Sequence, residues 1–159
     1  MAYDVTRTTL PGAPESEGTA FVIDQNIGHL SALAARLFGK ALGARLADYG
    51  VSTGQWPLLL HLWEEDGLTQ KELSRRIQIE EPTTARTLDR MERDGLVRRE
   101  KSQRDRREVN VRLTERSREL RDDLIPCAQE VNARATHGLS SEDKTRAVSL
   151  LRYMIARLT

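Results

Sequence analysis

From about Phe21 to Asp48 the apolar residues Ile23, Ile27, Leu30, Ala34, Leu37 and Ala41 recur at spacings of 4, 3, 4, 3 and 4. This narrow stripe predicts a long amphipathic helix that needs a partner surface. Gly50 ends it, and Ser52 or Thr53 is placed to cap a second helix running through Trp56, Leu59, Leu60 and Trp63 to about Glu65. After the Asp66-Gly67 turn, Thr69-Gln70-Lys71-Glu72 has the spacing of a reciprocal capping box and predicts a third helix to about Ile77. Pro82 suits the first position of a fourth helix, from about Pro82 to Arg93, and Gly95 supplies the left-handed stop.

Two short segments, Leu96 to Lys101 and Glu108 to Leu113, then flank the polar loop Ser102 to Arg107. Val109, Val111 and Leu113 alternate with polar residues, as a half-buried strand requires. Thr114 can cap a long helix to about Thr136, with Pro126 as an expected kink. Ser140 and Asp143 open a last helix carrying Ala147, Leu150, Leu151, Met154, Ile155 and Leu158. Residues 1 to 19, with Pro11, Gly12, Pro14 and Gly18, read as a mobile arm.

The order over residues 69 to 113, helix, turn, helix, hairpin, is that of a winged helix-turn-helix in a mainly α chain. Charge changes the picture at the same place. Residues 1 to 68 hold four Lys/Arg against eight Asp/Glu, whereas residues 69 to 121 hold sixteen against eleven. The positive excess therefore coincides with the predicted helix-turn-helix. Of the 25 basic residues 21 are Arg, whose planar fork suits phosphate oxygens and guanine edges.

On the fourth helix, Ala85, Leu88 and Met91 are expected to face the core. Thr83, Arg86, Thr87 and Arg90, at i, i+3, i+4 and i+7, would share another side that can enter a DNA groove. Pro82 and Thr83 lie at its amino end, where free amides favour phosphate. Asp105, Arg106 and Arg107 form a basic hairpin tip able to reach phosphates or a narrow minor groove. A solvated hairpin that only protects a sheet edge is the alternative for that tip.

No apolar run approaches the roughly 18 residues of a membrane span, and the first twenty residues lack a basic start followed by an apolar stretch. A single cysteine, Cys127, makes no internal disulfide. The expectation is a cytoplasmic protein without a membrane partner. His29, His61 and His137 fall in separate helices without metal-ligand spacing, and no phosphate loop or nucleophile elbow is present. No catalytic residue, metal or cofactor is therefore assigned. Cys127, beside Pro126, reads as a small hydrophobe, with a redox sensor as the rival. A winged-helix protein-docking module is a further rival, but it gives no reason for Arg on both the groove face and the hairpin tip.

The residues Leu73, Ile79 to Glu92, Gly95-Leu96-Val97, Asp105-Arg106-Arg107 and Val111 to Thr114 together resemble the MarR family, nearest its SlyA-like branch. The likeness runs from about residue 21 to 158. It implies one domain over 20 to 159, in which helices of 20 to 50 and 114 to 159 interlock two subunits and 51 to 113 form the winged lobe. It also implies a homodimer on double-stranded, pseudo-palindromic DNA. Carried over, it makes Pro82, Thr83 and Arg86 major-groove readers and Arg107 the minor-groove residue of the wing, oriented by Asp105. Thr87, Arg90 and Arg106 become backbone contacts, and Ser74 a further candidate. A cleft lined by Trp56, His61 and Arg36 would accept a small aromatic carboxylate or phenolic effector that releases a repressor. Core packing is the alternative for Trp56 and Trp63. An activator or anti-silencer of the SlyA type is the alternative for the mode of action.

Overall fold

The computed structural model describes residues 22–101 and 109–159; the expected mobile arm of 1 to 19 and the hairpin tip lie outside the described residues. The chain divides into two compact units, the first ending at Ala35 and the second running from Arg36 to Thr159. A short 3-10 turn, Ile23–Gln25, precedes α1 (Ile27–Ala47). There follow α2 (Trp56–Glu64), β1 (Leu68–Thr69), α3 (Gln70–Ile77), α4 (Glu81–Arg93), β2 (Val97–Lys101), β3 (Val109–Leu113), α5 (Glu115–Ala135) and α6 (Ser141–Leu158). None of the described helices is long and apolar enough to cross a membrane.

The first helix starts later than its apolar stripe implies. Asn26 is extended, and its side-chain oxygen accepts the amide of His29 at 2.8 Å, a local cap that competes with further helix on its amino side. Ile23 is thus in the 3-10 turn and not on the helix. The start of α2 differs as well. Neither Ser52 nor Thr53 caps it through a side chain; Gln55 is the flanking residue, and the Ser52 carbonyl accepts the amides of Gln55 and Trp56.

In the second unit, Leu46, Leu58, Leu59, Leu62, Leu73, Leu88, Met91, Leu96 and Leu124 are fully enclosed. Burying such side chains is worth about 1.5–3 kcal/mol each and accounts for the position of α2, α3 and α4 around one core. The sheet has the order β1-β3-β2 and is antiparallel throughout. Its third strand, β1, is two residues long and pairs Leu68 with Val111 and Thr69 with Asn110. The sequence pattern places only a turn and a cap there, because two residues carry no periodicity. Val111 and Leu113 are buried as expected, while Val109, at the loop end of the hairpin opposite Lys101, is 43% exposed. α5 runs through Pro126 to Ala135. α6 has no buried residue at all.

Candidate nucleic-acid interface

The interface is built from the turn between α3 and α4. Both halves of the predicted box on α3 form. Thr69 Oγ1 accepts the Glu72 amide at 3.2 Å and the Thr69 amide donates to Glu72 Oε2 at 2.8 Å. The Thr69 amide and hydroxyl, both donating to the Glu72 carboxylate, hold that carboxyl below its ordinary range. At the other end Gln78 takes a left-handed conformation, φ 54°, unusual for a residue with a side chain. Ser74 pins this turn from two directions. Its carbonyl accepts the amides of Gln78 and Ile79, and its hydroxyl donates to the Ile79 carbonyl. Ser74 is only 6% exposed, so it sets the angle between α3 and α4 from inside the turn.

α4 then begins with Glu80 as its cap residue, whose carbonyl accepts the amides of Thr83 and Thr84 at 3.0 Å each. The helix starts one residue before the expected position, at Glu81, so Pro82 is its second residue, still in the first turn where its missing N–H leaves nothing unsatisfied. The helix has three distinct faces. Thr84, Leu88 and Met91 are buried in the core. Thr84 takes the place that the pattern gives to Ala85, which is half-buried; a hydroxyl reads as surface in a sequence, yet Thr84 is 1% exposed. A second face, Ala85, Asp89 and Glu92, meets β2. The third carries Pro82, Thr83, Arg86 and Arg90, all exposed, with Thr87 half-buried beside them.

On that third face the side chains are held along the helix. Thr87 Oγ1 donates to the Thr83 carbonyl at 3.0 Å, and Arg90 Nε donates to the Arg86 carbonyl at 3.2 Å. The Arg86 side chain is exposed, and among the described residues its guanidinium has no hydrogen bond or ion pair; a guanidinium presents five N–H donors in a planar fork. An open groove of about 1060 Å³ runs beside this face and is lined by Lys71, Ser74, Arg75, Pro82 and Val109 among others. Asp105, Arg106 and Arg107 lie outside the described residues.

The other candidates are apart from this face. Trp56 is partly buried against the core and meets Trp63 edge to face, ring centroids 5.7 Å apart at 75°. Trp63 Nε1 donates to the Ser117 carbonyl at 2.8 Å. His61 is half-buried, its Nδ1 3.7 Å from Glu64 Oε2, and Arg36 is exposed. Cys127 is a half-buried free thiol in α5. Among the described residues no group of three or more His, Cys, Asp or Glu could hold a metal ion.

One residue of this region escapes sequence reasoning. Arg99 of β2 reaches across to α4, donating from Nη2 to Asp89 Oδ1 at 2.7 Å and to the Ala85 carbonyl at 3.4 Å, and from Nη1 to Glu92 Oε2 at 3.0 Å. Its own amide donates to Glu92 Oε1 at 3.1 Å. The available signal was weak: Arg99 sits two residues from buried Val97 on a strand, on its inner face, and carries a charge there.

Comparison with known proteins agrees with this architecture. The MarR family profile matches residues 51–109. The HTH-type transcriptional repressor NicR of Pseudomonas putida is 25% identical over 151 residues, 95% of this chain and 96% of that protein. The solved structure of the transcriptional regulator PA3341 is 34% identical, covering 84% of this chain and 98% of that one with a TM-score of 0.74. A MarR-family regulator of Listeria monocytogenes, solved with 26mer DNA, shares the fold at a TM-score of 0.79 and 19% identity, over 84% and 89% of the two chains.

Proposed function

The chain belongs to the MarR family of transcriptional regulators, and we propose that it acts as a homodimeric repressor on a pseudo-palindromic operator. Two copies of α4 enter successive major grooves about 10 base pairs apart. Pro82, Thr83 and Arg86 read bases, Thr87, Arg90 and Arg106 contact the backbone, Ser74 positions the helix from within the turn, and Arg107, oriented by Asp105, reaches the minor groove. The observation that carries this reading is the third face of α4: Arg86, without a hydrogen bond or ion pair among the described residues, is flanked by Thr83 and Arg90, all exposed, while the other two faces of the helix meet the core and β2. The Listeria monocytogenes protein with bound DNA and the Pseudomonas putida repressor lend it support.

The apolar residues left uncovered support the homodimer. Ile27 and Leu37 of α1 are 62% and 58% exposed, and Leu151, Ile155 and Leu158 of α6 are 50%, 59% and 88% exposed. Uncovered apolar helix faces of this extent mark association surfaces. A small aromatic carboxylate or phenol, held near Trp56, His61 and Arg36, would release the operator by favouring a lobe spacing that does not fit DNA. The coupling this needs is on the order of 1–3 kcal/mol.

The experiment is fluorescence anisotropy with the duplex upstream of the gene and with operator fragments selected from random duplex, over a series of salt concentrations. Selective binding that weakens steeply with salt is the expected result. Absence of preference for any duplex would refute the reading.

A further inference from the structure

Strand alternation decides which arginines of β2 face α4. Arg98 stands opposite Arg112 and Arg99 opposite Val111. Directly opposed residues share a face of the sheet. The Arg98 and Arg112 face points outward and is closed on itself, with Glu100 accepting from Arg98 Nε at 2.8 Å and from Arg112 Nε at 3.2 Å. Arg99 lies on the inner face with buried Val111, and its side chain is 26% exposed. It meets Ala85, Asp89 and Glu92, which follow one another at i, i+4 and i+7 and so form one stripe over two turns of α4.

We infer that Arg99 is a positioning residue for DNA reading, locking the strand that leads into the hairpin tip onto the recognition helix so that helix and wing engage DNA as one body. This rests on the DNA-binding reading above. Two consequences follow from the contacts. The first is geometric: a planar fork that holds a carbonyl and two carboxylates at 2.7–3.4 Å fixes both translation and rotation of β2 against α4, which a single point charge does not. The second is electrostatic. Asp89 and Glu92 are 65% and 42% exposed, and both stand on the helix that approaches phosphates; Arg99 neutralises them in place.

The test compares wild type, Arg99→Ala and Arg99→Lys on a selected operator and on a scrambled duplex at one ionic strength. The active fraction is taken from stoichiometric titration and the fold from circular dichroism. A purely structural role would lower the active fraction and leave the ratio of the two affinities unchanged. The positioning role lowers that ratio by roughly 5- to 100-fold in Arg99→Ala, the loss of about one well-placed base contact. Arg99→Lys restores the charge and not the fork. It should recover affinity for the scrambled duplex while the ratio stays low. An unchanged ratio in Arg99→Ala, or a ratio fully restored in Arg99→Lys, overturns the inference. A wild-type chain with no preference for any duplex overturns the DNA-binding reading itself, whatever Arg99 does.

Discussion

Gln55 and Asp94, 39 positions apart, meet side chain to side chain: Gln55 Nε2 donates to Asp94 Oδ2 at 2.8 Å. The other end of the same amide is also used, since Gln55 Oε1 accepts the Ser52 amide at 2.8 Å. Gln55 is 3% exposed, so both bonds are largely shielded from water. Arg116 of α5 reaches the same corner, donating to the carbonyls of Asp94 and, at 3.2 Å, of Tyr49. Gly50 and Gly95, each at φ 70°, bring these two turns close to its guanidinium. The carboxyl end of α4 is therefore tied to the segment after α1 and to the start of α5, while Pro82 and Thr83 at its amino end are exposed.

Replacing Gln55 with Ala should cost about 1–3 kcal/mol, because it removes both hydrogen bonds of a side chain that is itself buried, one of them to a carboxylate. Urea unfolding measures this. Gln55→Glu would set a second carboxylate against Asp94, so its penalty should shrink as pH falls and the new side chain gains a proton to donate.

Arg86→Ala should leave the unfolding midpoint unchanged, since this side chain is exposed and has no partner among the described residues. Its cost should appear in binding, about 1–3 kcal/mol with one base position relaxed. Competition among operator duplexes substituted one base pair at a time reads this directly. Equal weakening on all of them would mean that Arg86 contacts only phosphate.

Glu72 should make the stability of the fold depend on acid pH. Its folded pKa is held down, first by the Thr69 amide and then by the Thr69 hydroxyl. A depressed carboxyl contributes stability that is present above the unfolded value of about 4.3 and lost as pH falls through the folded value. Glu72→Gln keeps an acceptor and removes the titration. The stability difference between wild type and Glu72→Gln should therefore be largest near neutral pH and shrink below about pH 4. A difference constant from pH 6 to 3 would rule out Glu72 as the titrating group.

Leu151→Glu and Ile155→Glu place charge on the uncovered face of α6, where the native residues are 50% and 59% exposed. Light scattering should give twice the chain mass of 18.0 kDa for wild type and the single mass for the double variant. A wild-type monomer would contradict the homodimer.

What was legible in the chain is what near neighbours decide. The boxes at Thr69–Glu72 and Ser140–Asp143 formed as read, because both partners lie within one turn and nothing distant competes. Gly95 stopped α4, and the faces of Leu88, Met91, Val111 and Leu113 followed from helix and strand periods. The helix-turn-helix with its hairpin, and the exposed side with Arg86, were therefore visible in advance.

The remainder depended on groups brought together from separate elements. Thr84 entered the core in the position given to Ala85, since burial of a helix face is set by what packs on it, and the side chain's own polarity was overruled. The 3-10 break before Ile27 and the two-residue β1 lack any period to announce them. Arg99 on Asp89 and Glu92, Gln55 on Asp94, and Arg116 on Tyr49 are pairs of common residue types whose meeting requires the folded chain. Sequence by itself determined the elements and the exposed side of α4 that carries Thr83, Arg86 and Arg90. Only the tertiary structure decided how that helix is held, because a hydrogen bond between distant residues is chosen by geometry that no local pattern encodes.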